Sequence, residues 1–200
     1  MKRFVALALV SLSLLTGCSS DQLDPLGRNA VILAFGDSLT VGVGTSEQQN
    51  YPAVLSQLTD RQVVASGVSG EVSSQGLQRL PGELERVRPD LLILLHGGND
   101  ILRNGSAQTL EQNLEAMINL AQAKDIPVVL VGVPEKRLFS DAAPLYSELA
   151  ERHDLVFIED LLADLLRESS MKSDAVHLNE QGYRALAQGI HQALQDAGAL

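Results

Sequence analysis

The chain of 200 residues has no tryptophan, and aromatic residues make up only 4% of it. Base-stacking platforms and aromatic carbohydrate clamps both need such rings, so ligands are expected to meet aliphatic walls and backbone instead. Positive charge is scarce as well: 15 Lys and Arg stand against 25 Asp and Glu, a formal net charge of −10. Affinity for nucleic acid comes largely from neutralising phosphates, and this balance argues against such a partner. There is one cysteine, Cys18, so no internal disulfide can form and the fold rests on its hydrophobic core. No pair of histidines has metal-ligand spacing with a carboxylate, which argues against a zinc hydrolase. The Gly-rich stretch 36–44 lacks both the Walker Gly-Lys pair and the dinucleotide-binding spacing. What is present is ordinary for a globular protein, 45% apolar and 20% charged residues, in a length that suits one domain.

The start of the chain reads as a targeting segment. Lys2 and Arg3 precede the apolar run 4–15, which is too short to span a bilayer, and then come Thr16, Gly17 and Cys18. The ending Leu15-Thr16-Gly17-Cys18 resembles the lipobox of bacterial lipoprotein signal peptides, where cleavage precedes a cysteine that is lipidated. That resemblance implies a signal peptide over 1–17, a membrane anchor at Cys18, and a location in the cell envelope facing the periplasm. Ser19 rather than Asp after the cysteine points, by the enterobacterial sorting rule, to the outer membrane. Residues 18–28, polar with Pro25 and Gly27, suit a tether, and the domain is expected over 29–200.

Within that domain, nearly continuous apolar runs at 31–35, 63–65, 91–95, 128–133 and 155–158 alternate with segments of helical period. Such runs fit parallel strands covered on both faces, and the alternation implies a three-layer α/β/α sandwich. Ser106 precedes an apolar stripe at Leu110, Leu114, Met117, Ile118 and Ala121; Asn179 caps another at Tyr183, Leu186, Ala187, Ile190 and Leu194. The acidic stretch 159–168 reads as an amphipathic helix. In sheets of this kind ligands bind outside the carboxyl ends of the strands, so the turns that follow the strands matter most.

Those turns are Gly36-Asp37-Ser38-Leu39-Thr40, Ser66-Gly67-Val68-Ser69-Gly70-Glu71 and His96-Gly97-Gly98-Asn99-Asp100, with Ser173-Asp174-Ala175-Val176-His177-Leu178-Asn179 before the last helix. Each alone reads as a polar loop, since Asp and Ser favour turns for local reasons. Together and in order, the four blocks resemble the SGNH (GDSL-type) hydrolase family over the whole of the expected domain, and in particular its bacterial periplasmic multifunctional acyl-esterases and arylesterases. The resemblance implies a flavodoxin-like, five-stranded parallel sheet and no cofactor. It also assigns roles: Ser38 as nucleophile, His177 as base, Asp174 as the base's partner, and Gly70 and Asn99, with the Ser38 N–H, as oxyanion donors. Two departures from the family pattern stand out, Glu71-Val72-Ser73 in place of an Asp-Thr-Ser run and Leu178 in place of Pro.

The chemistry is consistent with those roles. A serine hydroxyl needs a base in hydrogen-bonding reach, and a carboxylate on the base's other nitrogen fixes its tautomer and steadies the imidazolium as it forms. The elbow pattern G-x-S-x-G of α/β-hydrolases is absent around Ser38. His96 is expected to be a core histidine bonded to backbone, and His153 and His191 to be solvated. The expected activity is hydrolysis of a small acyl, aryl or lysophospholipid ester or thioester by a monomer. The competing readings are a carbohydrate O-acetylesterase of the envelope and a non-catalytic anchored binding protein. Substrate choice would depend on loops 40–51, 101–106 and 136–144.

Overall fold

The computed structural model describes residues 23–136 and 140–200; the segment 1–22, with the expected signal peptide and Cys18, lies outside the described residues. Strands β1 (Val31–Gly36), β2 (Gln62–Gly67), β3 (Leu91–Leu95), β4 (Val128–Val131) and β5 (Val156–Ile158) form one sheet in the order β2-β1-β3-β4-β5. Every pairing is parallel. This is the flavodoxin-like order, and its direction of growth reverses between β1 and β3, where a crevice opens at the carboxyl edge.

The apolar runs become strands because both faces of the sheet are covered. All five residues of the central β3 are buried, while the edge strand β2 has one buried residue, Ser66, and is otherwise partly or fully exposed. The helices are α1 (Ser38–Val41), α2 (Tyr51–Thr59), α3 (Ser73–Val87), α4 (Gly98–Leu102), α5 (Ala107–Gln122), α6 (Pro144–Arg152), α7 (Leu161–Arg167) and α8 (Glu180–Asp196). On one face α2 and α7 pack against α8, and on the other α5 packs against α3 and α6. Helix α5 starts where Ser106 accepts the Thr109 N–H, and α8 where Asn179 accepts the Gly182 N–H, as their cap chemistry predicts. The stripes 110–121 and 183–194 face the core, with Leu114, Met117, Leu186 and Ile190 fully buried.

The folded body begins earlier than residue 29. Leu23 is buried, and the Leu23 and Leu26 N–H groups donate to the Ala197 and Ala199 carbonyls at 3.0 and 2.9 Å. The stretch read as tether is therefore docked from Leu23 onward, a contact between chain ends that local polarity does not reveal. Leu178, the second departure from the family pattern, is fully buried in the core behind the last loop.

Candidate active site

Three strand ends and the loop before α8 build one site. At the end of β1, a side chain at Gly36 would place its Cβ 2.1 Å from the Leu95 carbonyl oxygen, so glycine lets β1 and β3 close together there. Asp37 then caps α1 by accepting the Leu39 N–H at 3.1 Å, which puts Ser38 at the first helical position. The N–H of such a residue has no intrahelical acceptor and is available to a ligand.

The Ser38 Oγ lies 3.0 Å from His177 Nε2, and His177 Nδ1 lies 2.7 Å from Asp174 Oδ2. The other oxygen of Asp174 accepts the N–H groups of Val176 and His177 at 2.8 and 2.9 Å. These N–H groups, that of Val176 foremost, together with His177 hold the Asp174 carboxyl below its ordinary pKa against the opposing pull of partial burial. A lowered pKa keeps Asp174 ionised and accepting, so Nδ1 carries the proton and Nε2 is free to take one from Ser38. His177, with Asp174 behind it, is thus brought to Ser38 across 139 residues of chain.

Gly70 and Asn99 face the same cleft. Gly70 has φ +76°, a left-handed conformation that favours glycine, and its carbonyl accepts from the Arg103 side chain at 2.9 Å. The Asn99 Nδ2 donates to the Glu71 carbonyl at 3.0 Å and to Asp37 Oδ2 at 3.2 Å, so both amide hydrogens have acceptors in the resting site. Asp37 is 3% exposed, and burial pushes its carboxyl above the ordinary value against the opposing influence of the neighbouring His96 and His177 rings and the Leu39 N–H.

The cleft measures about 780 Å³ and is walled by aliphatic side chains, among them Leu39, Val43, Ile101, Leu102, Val133 and Val176. Lys136 and Lys172 also line it. Loops 40–51, 101–106 and 136–144 contribute as expected, and so does α7 through Leu162 and Leu166, which the reading of 159–168 as a simple amphipathic helix missed. Among the described residues no group of three or more His, Cys, Asp or Glu side chains is placed to hold a metal ion.

The residues 34–185 match the model of the GDSL-like Lipase/Acylhydrolase family. The chain belongs to that family. It is therefore a serine ester hydrolase, and the order of its sheet agrees with its membership. Esterase TesA of Pseudomonas aeruginosa is 33% identical over 145 residues, covering 70% of this chain and 71% of its own. The Thioesterase 1/protease 1/lysophospholipase L1 of Escherichia coli is 29% identical over 172 residues, covering 82% and 83%. The crystal structure of TesA superposes with a TM-score of 0.74 at 26% identity, covering 84% of this chain and 99% of that one.

One histidine has a partner beyond the expected one, and another differs from expectation. His96 does bond backbone, accepting the Gly97 N–H at Nδ1, but its Nε2 also faces the buried Glu71 carboxylate at 3.1 Å. His153, expected to be solvated, packs between Glu115 and Gln122 with its side chain 13% exposed. Glu71 itself was legible only as a departure from the family pattern. Its partners come from helix α3, through Arg79, and from the end of β3, through His96.

Proposed function

We propose that the protein hydrolyses medium-length acyl esters or thioesters, with Ser38 as nucleophile, His177 as general base and then acid, and Asp174 orienting it. The observation that carries this is the unbroken hydrogen-bond line from Asp174 through His177 to Ser38 at the mouth of an aliphatic cleft. Ser38 attacks the carbonyl carbon as its proton passes to His177 Nε2; the imidazolium then protonates the leaving alcohol or thiol. Water, deprotonated by the same nitrogen, releases the acid from the acyl-enzyme. The N–H groups of Ser38 and Gly70 and the amide of Asn99 receive the oxyanion. The longer Asn99 bond, to Asp37, is the one the oxyanion takes or shares.

A volume of this size suits an acyl chain rather than acetate alone, and its described lining has no Phe, Tyr or Trp. These features favour acyl substrates over glycan O-acetyl groups. The names of the relatives, an esterase and a thioesterase/lysophospholipase, support the same class. The test is hydrolysis of p-nitrophenyl acetate and longer acyl esters by wild type and Ser38→Ala, with fluorophosphonate labelling. Wild-type turnover that rises with chain length and label on Ser38 are expected. A folded wild type as inert as Ser38→Ala and unlabelled would overturn the reading.

The protein acts, on this reading, as a monomeric lipoprotein held to the outer membrane through Cys18 and facing the periplasm. The basic start, the apolar run 4–15 and the Leu15-Thr16-Gly17-Cys18 ending support it. Cys18→Ala should leave the membrane fraction or remain unprocessed, and membrane attachment that does not change would sink the anchor.

A further inference from the structure

Beneath the triad lies a buried polar cluster that takes no part in proton transfer. Glu71, immediately after Gly70, is 5% exposed. Its carboxylate accepts Arg79 Nε at 2.9 Å and Arg79 Nη2 at 2.6 Å, and meets His96 Nε2 at 3.1 Å. Because His96 Nδ1 accepts the Gly97 N–H at 2.8 Å, the ring proton sits on Nε2 and is donated to Glu71. Arg79 also donates to Ser66 Oγ at 2.5 Å and to the Gly36 carbonyl at 3.3 Å, and its guanidinium lies 4.0 Å from the centre of the Phe35 ring. The Glu71 carbonyl is one of the two acceptors of Asn99.

We propose that Glu71 is a positioning residue of the oxyanion site, a buried hub that ties the turn of Ser38, the turn of Gly70 and the turn of Asn99 into one fixed geometry. The inference rests on the functional reading above. The strands hold these turns only as far as Gly36, Gly67 and Leu95, where they end. Beyond those residues one backbone bond, from the Val68 N–H to the Gly36 carbonyl at 3.2 Å, and a set of side-chain bonds link the three turns; Asn99 to Asp37, Arg103 to the Gly70 carbonyl and Ser73 to Asp100 each join two of them. Glu71 reaches all three turns: β1 through Arg79 and the Gly36 carbonyl, β2 through its own chain, and β3 through His96 and Asn99. A carboxylate only accepts, and every partner here donates, so no neutral side chain of the same size can replace it.

The experiment is Glu71→Gln, whose amide would turn N–H groups toward N–H donors. Steady-state kinetics on p-nitrophenyl butyrate would be normalised to fluorophosphonate-titrated sites. Binding of an alkylboronic acid, tetrahedral once bonded to serine, would be measured beside it. We expect kcat to fall about 10- to 100-fold with KM within about threefold, and boronate affinity to fall by the same factor as kcat/KM. A kcat within about twofold of wild type, or a loss confined to KM, overturns the proposal. Glu71→Gln with Arg79→Met serves as the second variant, because removing both charges avoids leaving one buried and unpaired. Its kcat should stay low although it folds stably. Recovery of kcat would show that Glu71 merely neutralises Arg79, and would overturn the hub. If wild type itself escapes labelling at Ser38, the functional reading fails instead.

Discussion

Ser38 and Asn99 stand on turns anchored in a buried polar floor, whereas Asp174 and His177 stand on a loop open to solvent. In the floor, Asp37 and Glu71 are 3% and 5% exposed; at the rim, the Asp174 side chain is 52% exposed. The two floor carboxylates are shifted in opposite directions. Burial raises Asp37, which has a backbone N–H and an amide but no guanidinium. Burial also acts to raise Glu71, yet the hydrogen bonds from Arg79 and His96 outweigh it and hold the carboxyl below its ordinary value. The rim reaches the same geometric fixity by a four-residue motif, in which one carboxylate binds two N–H groups and the ring. Precision in the floor therefore depends on bonds between separate segments, with a charge pair at Glu71 and an amide at Asp37, and at the rim on local chain geometry.

The comparison can be tested from its largest expected effect downward. Ser38→Ala, and equally His177→Ala, should lower kcat by roughly 10⁴- to 10⁶-fold with unchanged thermal stability, measured against titrated wild type. Asn99→Ala, which removes a proposed oxyanion donor from the floor, should cost about 10²- to 10³-fold in kcat with little change in KM. Asp174→Asn should cost about 10²- to 10³-fold, less than for a fully buried triad carboxylate, because water at the exposed rim partly replaces it. A loss as large as that of Ser38→Ala would show that the rim is not the softer half. Gly70→Ala should cost roughly tenfold, since a Cβ has space there but the left-handed backbone is strained.

The smallest effect separates the floor carboxylates by sign. Asp37 binds its proton more tightly when folded, so its contribution to stability is fullest below the unfolded value of 3.8 and is lost as pH rises through the raised folded value. Glu71 is the reverse: its contribution is present above 4.5 and is lost as pH falls through the depressed folded value. The melting temperature of Asp37→Asn relative to wild type should therefore climb as pH rises above 3.8. A difference that stays flat from acid to neutral pH would remove the contrast.

Much of this was legible in the chain. Runs such as 91–95 became β3 to the residue, because a strand buried on both faces needs an unbroken apolar run and nothing else competes for one. Ser106 and Asn179 marked helix starts because their side chains satisfy an N–H three residues on, a strictly local bond. Ser38, Gly70, Asn99, Asp174 and His177 were recognisable because each sits in a short block whose order follows the strands, and the cleft gathers all but Asp174 into its lining. His153 was misread, since a helix-end histidine says nothing of the Glu115 and Gln122 brought beside it from α5.

The sequence by itself determined the helix caps, which depend on a few neighbouring residues, and the layered sheet, which follows from the order of apolar runs along the chain; the order of its four polar blocks pointed to the side chains proposed to react. Only the tertiary structure decided that Leu23 docks against the chain's end, that α7 walls the cleft, and that Glu71 joins Arg79 and His96 under the site. The physical reason is the same in each case. A hydrogen bond or buried contact between segments far apart in the chain leaves no periodic trace, and its energy depends on a burial that exists only once the whole sheet is covered.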